Sequence, residues 1–267
     1  MTLAIQTAIV MVVLLVIMLA MGVSISISVG LSSAVAMLCM LPAQVSFVTS
    51  AQRLFAGANS FSLIAIPFFI LAGNLMNNGG IAERLVNVAK AIAGRMPGAL
   101  AQTNIIANML FGAISGSGAA AAAAMGGTIG PMEEKEGYDP VYSAAVNIAS
   151  APTGMLIPPS NLMIVYSTIA GSVSVAALFT AGYLPGILWG IIVMVIAGIT
   201  AKKKGYVIKE NVSGKQALKA ILDAIPSLLL IVIIIGGILG GVFTATEASA
   251  VAVAYATVLG LVMGLLV

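Results

Sequence analysis

The sequence predicts a polytopic α-helical membrane protein, on three observations. Hydrophobic residues fill 61% of the 267 positions and charged residues only 7%, against roughly half apolar and about a quarter charged in a soluble domain. Apolar stretches of about 20 residues, enough to cross a hydrocarbon core about 30 Å thick, recur from Leu3 to Val267. None alternates apolar and polar residues over about ten positions, as a membrane β-strand would.

Composition also excludes several chemistries. The chain has no histidine and a single cysteine, Cys39, set in an apolar run. Disulfides, thiolate or imidazole metal sites and histidine-based catalytic dyads are therefore ruled out, and Cys39 reads as a small buried packing residue. The net charge of +3 is too small and too confined to loops to indicate nucleic acid. Met1–Met21 is apolar but lacks a basic start and a small-residue cleavage site, so it reads as a retained span.

Leu3–Ala20 and Val23–Leu41 are two apolar segments divided by Met21-Gly22. Gln44–Asn59 mixes Arg53 with Val45, Phe47, Val48, Leu54 and Phe55, the pattern of a helix lying along the membrane surface. These first 59 residues form an N-terminal arm. A second section then covers 60–204. Ser60–Met76 is a span with Pro67 inside it, expected to kink, closed by Asn77-Asn78-Gly79-Gly80. Ile81–Arg95 sets Ile81, Leu85, Val88 and Ile92 on one helical face opposite Glu83, Arg84 and Lys90, a second interfacial helix.

Met96 to Met132 carries no charge. It is too long for one crossing and too short for two with a turn. Ser115-Gly116-Ser117-Gly118 breaks it near the middle, so a re-entrant hairpin over about 97–132 is predicted, each arm reaching roughly 25 Å at about 1.5 Å per residue. Its tip must be buried in protein or face a wet cavity, because lipid cannot satisfy open backbone. After the polar Glu133–Asp139 stretch, a broken helix is expected over about 140–181, interrupted at Ala151–Ser160, where Pro152, Pro158 and Pro159 remove amide donors and restrict their neighbours. Gly182-Tyr183-Leu184-Pro185 is expected to divide it from the next crossing. Two crossings after the hairpin the chain reaches Lys202-Lys203-Lys204, which places these lysines on the hairpin's open side. Lysine and arginine excess marks the cytoplasmic face, so the hairpin enters from there. Residues 205–267 hold a polar connector, Gly205–Asp223 with Lys209, Lys215 and Lys219, then spans Ile225–Gly241 and Ala245–Val267. Thr244-Ala245-Thr246-Glu247 has the spacing of a helix capping box.

A serine-glycine turn at a buried tip leaves carbonyls, hydroxyls and helix-terminal amides without partners, a costly state unless something binds them. Unwound carbonyls suit a small hard cation, and half-helix N-termini suit an anionic group. Glycine and serine also serve simple close packing, and Ala119–Ala124 reads as packing surface. Two interruptions on consecutive elements point further, to a transport site. Ser115 or Ser117 as an intramembrane nucleophile has no histidine to activate it. A channel would use the same oxygens.

Ser60–Asn74 (SFSLIAIPFFILAGN), Gly112–Ala120 (GAISGSGAA), Ala151–Ser160 (APTGMLIPPS), Ala176–Ile187 (AALFTAGYLPGI) and Gly241–Val251 (GVFTATEASAV) resemble, in order, the large DctM-like membrane subunit of tripartite ATP-independent periplasmic (TRAP) transporters. The resemblance implies an elevator-type secondary transporter of two inverted repeats in the bacterial inner membrane, with no enzymatic activity. It implies a sodium gradient as driving force, with Na+ as coupling ion and no other cofactor. The solute would be a small organic acid such as a C4-dicarboxylate or sialic acid, delivered by a periplasmic substrate-binding protein. A small four-helix membrane subunit would be a further partner. One sodium site falls, by motif, on Ser115, Ser117, Gly154, Ile157 and Pro159, largely through backbone carbonyls. Gly116, Thr153 and Ser160 are neighbours expected to face substrate. Relatives of this kind continue into a second hairpin and a second broken helix, so the chain is expected to be a truncated or split subunit with an incomplete second repeat, unable to transport alone. A sodium-coupled anion symporter that needs no binding protein, and a passive channel, are the alternatives.

Overall fold

The computed structural model describes residues 3–78, 80–206 and 214–264. Gly79, Lys209 and the last residues of the expected final span lie outside the described residues. Among those described, the regular structure is helical throughout, and four helices are long and apolar enough to cross a membrane: Leu3–Ala20, Val175–Lys204, Gly214–Leu239 and the Ala245–Val262 stretch. The chain divides into two compact units, Met1–Ser60 and Phe61–Val267.

The first unit contains α1 (Leu3–Ala20), α2 (Ile25–Leu38) and α3 (Ala43–Ala58). No residue of α1 is buried, as suits a helix solvated by lipid on all sides. On α2, the buried Ser28, Ser32 and Ala36 recur every four residues, a small-residue stripe that allows close helix approach. Cys39, expected to be buried, is exposed. It follows the last turn of α2, past the stripe, with its thiol facing the Val35 carbonyl at 3.6 Å.

The second unit opens with a 3-10 turn, Phe61–Ile64, followed by α4 (Ala65–Asn78) and α5 (Ile81–Ala93). Pro67 does not kink a span; it falls in the first turn of α4, where helical amides lack partners in any case. The apolar face of α5 is covered by protein, with Leu85, Val86, Ala89 and Ala93 buried where it meets α6 (Ala99–Ser115) and α12 (Gly214–Leu239).

The predicted hairpin is formed by α6 and α7 (Gly118–Lys135). Every residue of α6 except Met109 and Leu110 is buried, the polar Gln102, Thr103, Asn104 and Asn108 included, so this helix is the axis of the unit. The base of the hairpin is clasped by aromatics. Tyr138 stacks on Tyr206 with ring centroids 4.4 Å apart, the Tyr142 hydroxyl donates to the Ala197 carbonyl at 2.8 Å, and the Gly98 amide donates to the Tyr206 carbonyl at 3.0 Å. Lys204 pairs with Asp139 at 2.5 Å and holds that carboxyl below the usual range. The lysine-rich end of α11 (Val175–Lys204) therefore sits at the open end of the hairpin, as the count of crossings requires.

The broken helix consists of α8 (Pro140–Ser150), a single turn α9 (Thr153–Leu156) and α10 (Asn161–Ala170), bent by 48° at the break. It ends at Ala170, not near 181. Gly171 stands at φ 68° in the left-handed region, which only glycine adopts freely, and α11 begins at Val175. Gly182-Tyr183-Leu184-Pro185 is no turn: it runs inside α11. A Cβ on Gly182 would lie 2.4 Å from the Leu156 carbonyl oxygen, and one on Gly186 2.7 Å from Ile157 Cγ1. These glycines let α11 press against the break. The expected connector is also shorter than the sequence suggested, since α12 starts at Gly214 and carries Lys215, Lys219 and Asp223 through Pro226 without interruption.

The last helix, α13 (Ala245–Gly264), packs along α4 and starts on the expected capping box. The Thr244 amide and hydroxyl both donate to Glu247 Oε2 at 2.8 Å, and the Glu247 amide donates to Thr244 Oγ1 at 3.3 Å. Thr244→Ala should destabilise the chain by about 1 kcal/mol, with Thr244→Ser retaining most of that stability. Thermal unfolding in detergent micelles checks this; equal midpoints for Ala and Ser would show that the cap contributes nothing.

Candidate functional site

The tip of the hairpin and the break in the second element are in contact. Gly116 ends α6 in the left-handed region at φ 63°, turning the chain so that Ser117 can start α7. The Ser117 hydroxyl accepts from the Ala120 amide at 3.3 Å, one of the orphan donors of that helix start. Ser115 is 1% exposed, and its hydroxyl and the Ser117 backbone face each other at 3.4 Å.

Across from the tip, the Asn161 amide donates to the Gly116 carbonyl at 3.2 Å, and Asn161 Nδ2 reaches the Ser115 carbonyl at 3.4 Å. A Cβ on Gly116 would meet the Pro159 carbonyl oxygen at 2.9 Å. One helical turn down α6, backbone meets backbone: a Cβ on Gly112 would lie 2.1 Å from Gly154 Cα, and a Cβ on Gly154 2.8 Å from Gly112 Cα. The structure thus brings Ser115, Gly116, Ser117, Gly154 and Pro159 together, with Ile157 held between the break and Gly186 of α11.

The prolines decide which oxygens are left over. A helical carbonyl takes its hydrogen bond from the amide four residues on. For Gly154 and Met155 those residues are Pro158 and Pro159, which have no N–H. The Ser160 hydroxyl donates to the Met155 carbonyl at 2.5 Å and so replaces one missing donor. The Gly154 carbonyl receives no such replacement among the described residues. Asn161 Oδ1 is likewise buried and without a partner. Two hard oxygens therefore stand free along the seam of hairpin and break.

Thr153 and Ser160 are both fully buried, and their hydroxyls are engaged, Thr153 donating to the Ser150 carbonyl at 2.6 Å and Ser160 to Met155. They brace the break. The open space beside the tip is instead a cavity of about 320 Å³ lined by Asn74, Asn77, Phe111, Ser115, Ser117 and Ala120. The close approach of Gly73 to Ser115, 3.0 Å for a built Cβ, fixes α4 as its far wall. Asn74, Asn77 and Asn161 carry no site role in the sequence, where Asn77 reads only as part of a helix stop. Each is a carboxamide in an otherwise apolar helical stretch, and that is the signal that could have found them.

The chain matches, over residues 12–265, the family described as the DctM component of the tripartite ATP-independent periplasmic transporter. It belongs to that family. Among curated relatives, it is similar to the uncharacterized protein YgiK of Salmonella typhimurium, 54% identical over 75% of this chain and 46% of that protein. The C4-dicarboxylate TRAP transporter large permease protein DctM of Vibrio cholerae is 43% identical over 76% of this chain and 44% of that protein. The sialic acid TRAP transporter large permease protein SiaM of the same organism is 38% identical over 67% of this chain and 42% of that protein. The chain spans about half the length of the curated relatives it matches. Family membership makes it a DctM-like chain, in keeping with a multi-pass inner-membrane protein.

The seam is sterically intolerant. Gly112→Ala should lower the thermal midpoint in detergent and loosen the hairpin, whereas Gly127→Ala, with nothing within 4 Å of the added Cβ, should leave it unchanged or raise it slightly through helix propensity. Equal behaviour of the two variants would refute the close contact.

Proposed function

We propose that the tip and the break form one sodium site of a sodium-driven TRAP transporter. Its large subunit would import a small carboxylate-bearing solute, in the class of C4-dicarboxylates and sialic acid, delivered by a periplasmic binding protein and working with a small membrane subunit. The observation that carries this reading is the pair of unsatisfied oxygens at the seam, the Gly154 carbonyl that Pro158 deprives of its donor and the buried Oδ1 of Asn161. Hard neutral oxygens with no proton donor suit a dehydrated alkali cation, and buried polar atoms of this kind are costly when nothing binds them.

The adjoining cavity supports an anionic solute. Asn74 and Asn77 supply carboxamide donors, and the start of α7 presents free amides and the positive end of its dipole next to Ser117. A cation at the seam would add attraction for a carboxylate in the cavity, which gives coupling between ion and solute a physical basis. Movement of this site relative to a fixed scaffold, in elevator fashion, is part of the same proposal.

Trp189 is the sole tryptophan, and its indole N–H donates to the Ala149 carbonyl at 2.8 Å, two residues before the break begins. Its fluorescence therefore reports on the site. Sodium chloride should change the emission of the purified chain saturably, with potassium chloride far weaker. Gly154→Leu, which crowds the seam, and Pro158→Ala, which restores a donor for the Gly154 carbonyl, should each weaken the response at least tenfold. Ser115→Ala should change it little, since the proposed ligands are largely backbone. A response that is identical in sodium and potassium, or that survives Gly154→Leu, would sink the assignment.

A further inference from the structure

A second polar cavity lies at the opposite end of the hairpin. It occupies about 320 Å³ between α6, α7 and α8 and is lined by Asn104, Glu133, Tyr138, Ser143 and Asn147 among others. Glu133 belongs to the charged stretch that follows the uncharged hairpin run, yet it is only 1% exposed. Neither of its carboxylate oxygens has a hydrogen-bonding partner. The Ser143 hydroxyl sits beside the carboxylate without hydrogen-bonding geometry, and it too is unpartnered, as is Asn104 Nδ2. A buried carboxylate left alone is among the costliest groups in a fold and persists when it is neutralised by a proton or a bound cation.

The nearest cation in sequence, Lys135, is exposed in the last turn of α7 and makes no hydrogen bond to Glu133, and the other charges nearby offer no neutralisation. Glu134 at the cavity mouth and Glu136 one turn on are acidic. From α8, Asp139 is already paired with Lys204. Tyr138 and Tyr142 are neutral phenols, and α6 carries no charged residue. Burial, opposed by Ser143 and reinforced by the Glu136 charge, pushes the Glu133 carboxyl up to about 7, so proton and cation compete there near neutrality.

We propose that Glu133 anchors a monovalent-cation site in this cavity, completed by the Ser143 hydroxyl, the Asn147 carboxamide oxygen and water. One carboxylate with neutral oxygens matches a singly charged ion. A divalent ion takes more carboxylates, and no cluster of three metal-binding side chains occurs among the described residues. The site is joined to the seam by buried hydrogen bonds. Asn108 Nδ2 lies 2.9 Å from Asn104 Oδ1, 3.0 Å from Asn147 Oδ1 and 2.8 Å from Ser150 Oγ, its two N–H groups shared among three acceptors, and the Ser150 carbonyl accepts from Thr153, the residue before Gly154. A cation at Glu133 thus occupies the lysine-rich end of a polar ladder whose other end is the break.

The inference stands apart from the sodium site at the tip. It is tested on the purified full chain by infrared difference spectroscopy at pH 7, with sodium chloride or potassium chloride exchanged against N-methylglucamine chloride. Either cation should bleach the band of a protonated carboxyl and release a proton. Gly154→Leu should keep this signal even where the Trp189 response is lost, which separates failure of one site from failure of the other. Glu133→Gln should lose it completely. If that variant does not fold, Ser143→Ala carries the test, retaining the carboxyl band but needing several-fold more salt to bleach it. A band indifferent to both cations, a signal that survives Glu133→Gln, or an unchanged salt requirement in Ser143→Ala would overturn the proposal.

Discussion

The contact on which the second unit depends is the meeting of Gly112 and Gly154, two backbones pressed together without side chains between them. Any larger residue at either position would hold the hairpin off the broken helix, and the tip would lose the wall that satisfies it. The same economy recurs around it. Gly116 yields to the Pro159 carbonyl, Gly118 to the Ala151 carbonyl, and Gly182 and Gly186 to the break from the far side. In a medium where lipid competes equally for apolar surface, close approach and its dispersion contacts replace the hydrophobic drive that would hold a soluble core.

Polar groups are organised around that packing rather than against it. The break costs hydrogen bonds, and Thr153 and Ser160 return most of them locally. Buried side-chain atoms left without partners gather around Glu133, at Asn104, Tyr138 and Ser143, and one, Asn161 Oδ1, lies at the seam; Gln102, Asn108 and Ser227 carry the others. Between Glu133 and the seam runs the Asn104–Asn108–Asn147–Ser150 ladder, largely buried between α6 and α8. Such networks are stabilising when complete and expensive when partial, so the open ends carry more meaning than the bonds that are made.

Much of this was legible in the sequence. Run length and the absence of charge between Met96 and Met132 required a hairpin, the Ser115–Gly118 interruption located its tip, and Pro152, Pro158 and Pro159 located the break. Thr244 and Glu247 announced their cap by spacing alone. What stayed hidden depended on partners distant in the chain. Gly182 and Pro185 carry turn signals, but the helix continues because Gly182 and Gly186 have a neighbour to pack against, and Gly171 ends the preceding helix instead. Cys39 looked buried because its neighbours are apolar, a criterion that fails where lipid is the solvent. Asn161, Asn74 and Asn108 became visible only when the fold set them beside the tip or each other.

The free oxygen at Gly154 belongs to the peptide, not to a side chain. Its chemistry is set by one imino acid four residues downstream, Pro158, so replacing the other side chains of the seam one by one would pass over the atom itself. An edit of the main chain, such as exchanging the peptide for an ester, would weaken that one oxygen as a ligand while leaving every side chain of the seam, Pro158 included, in place.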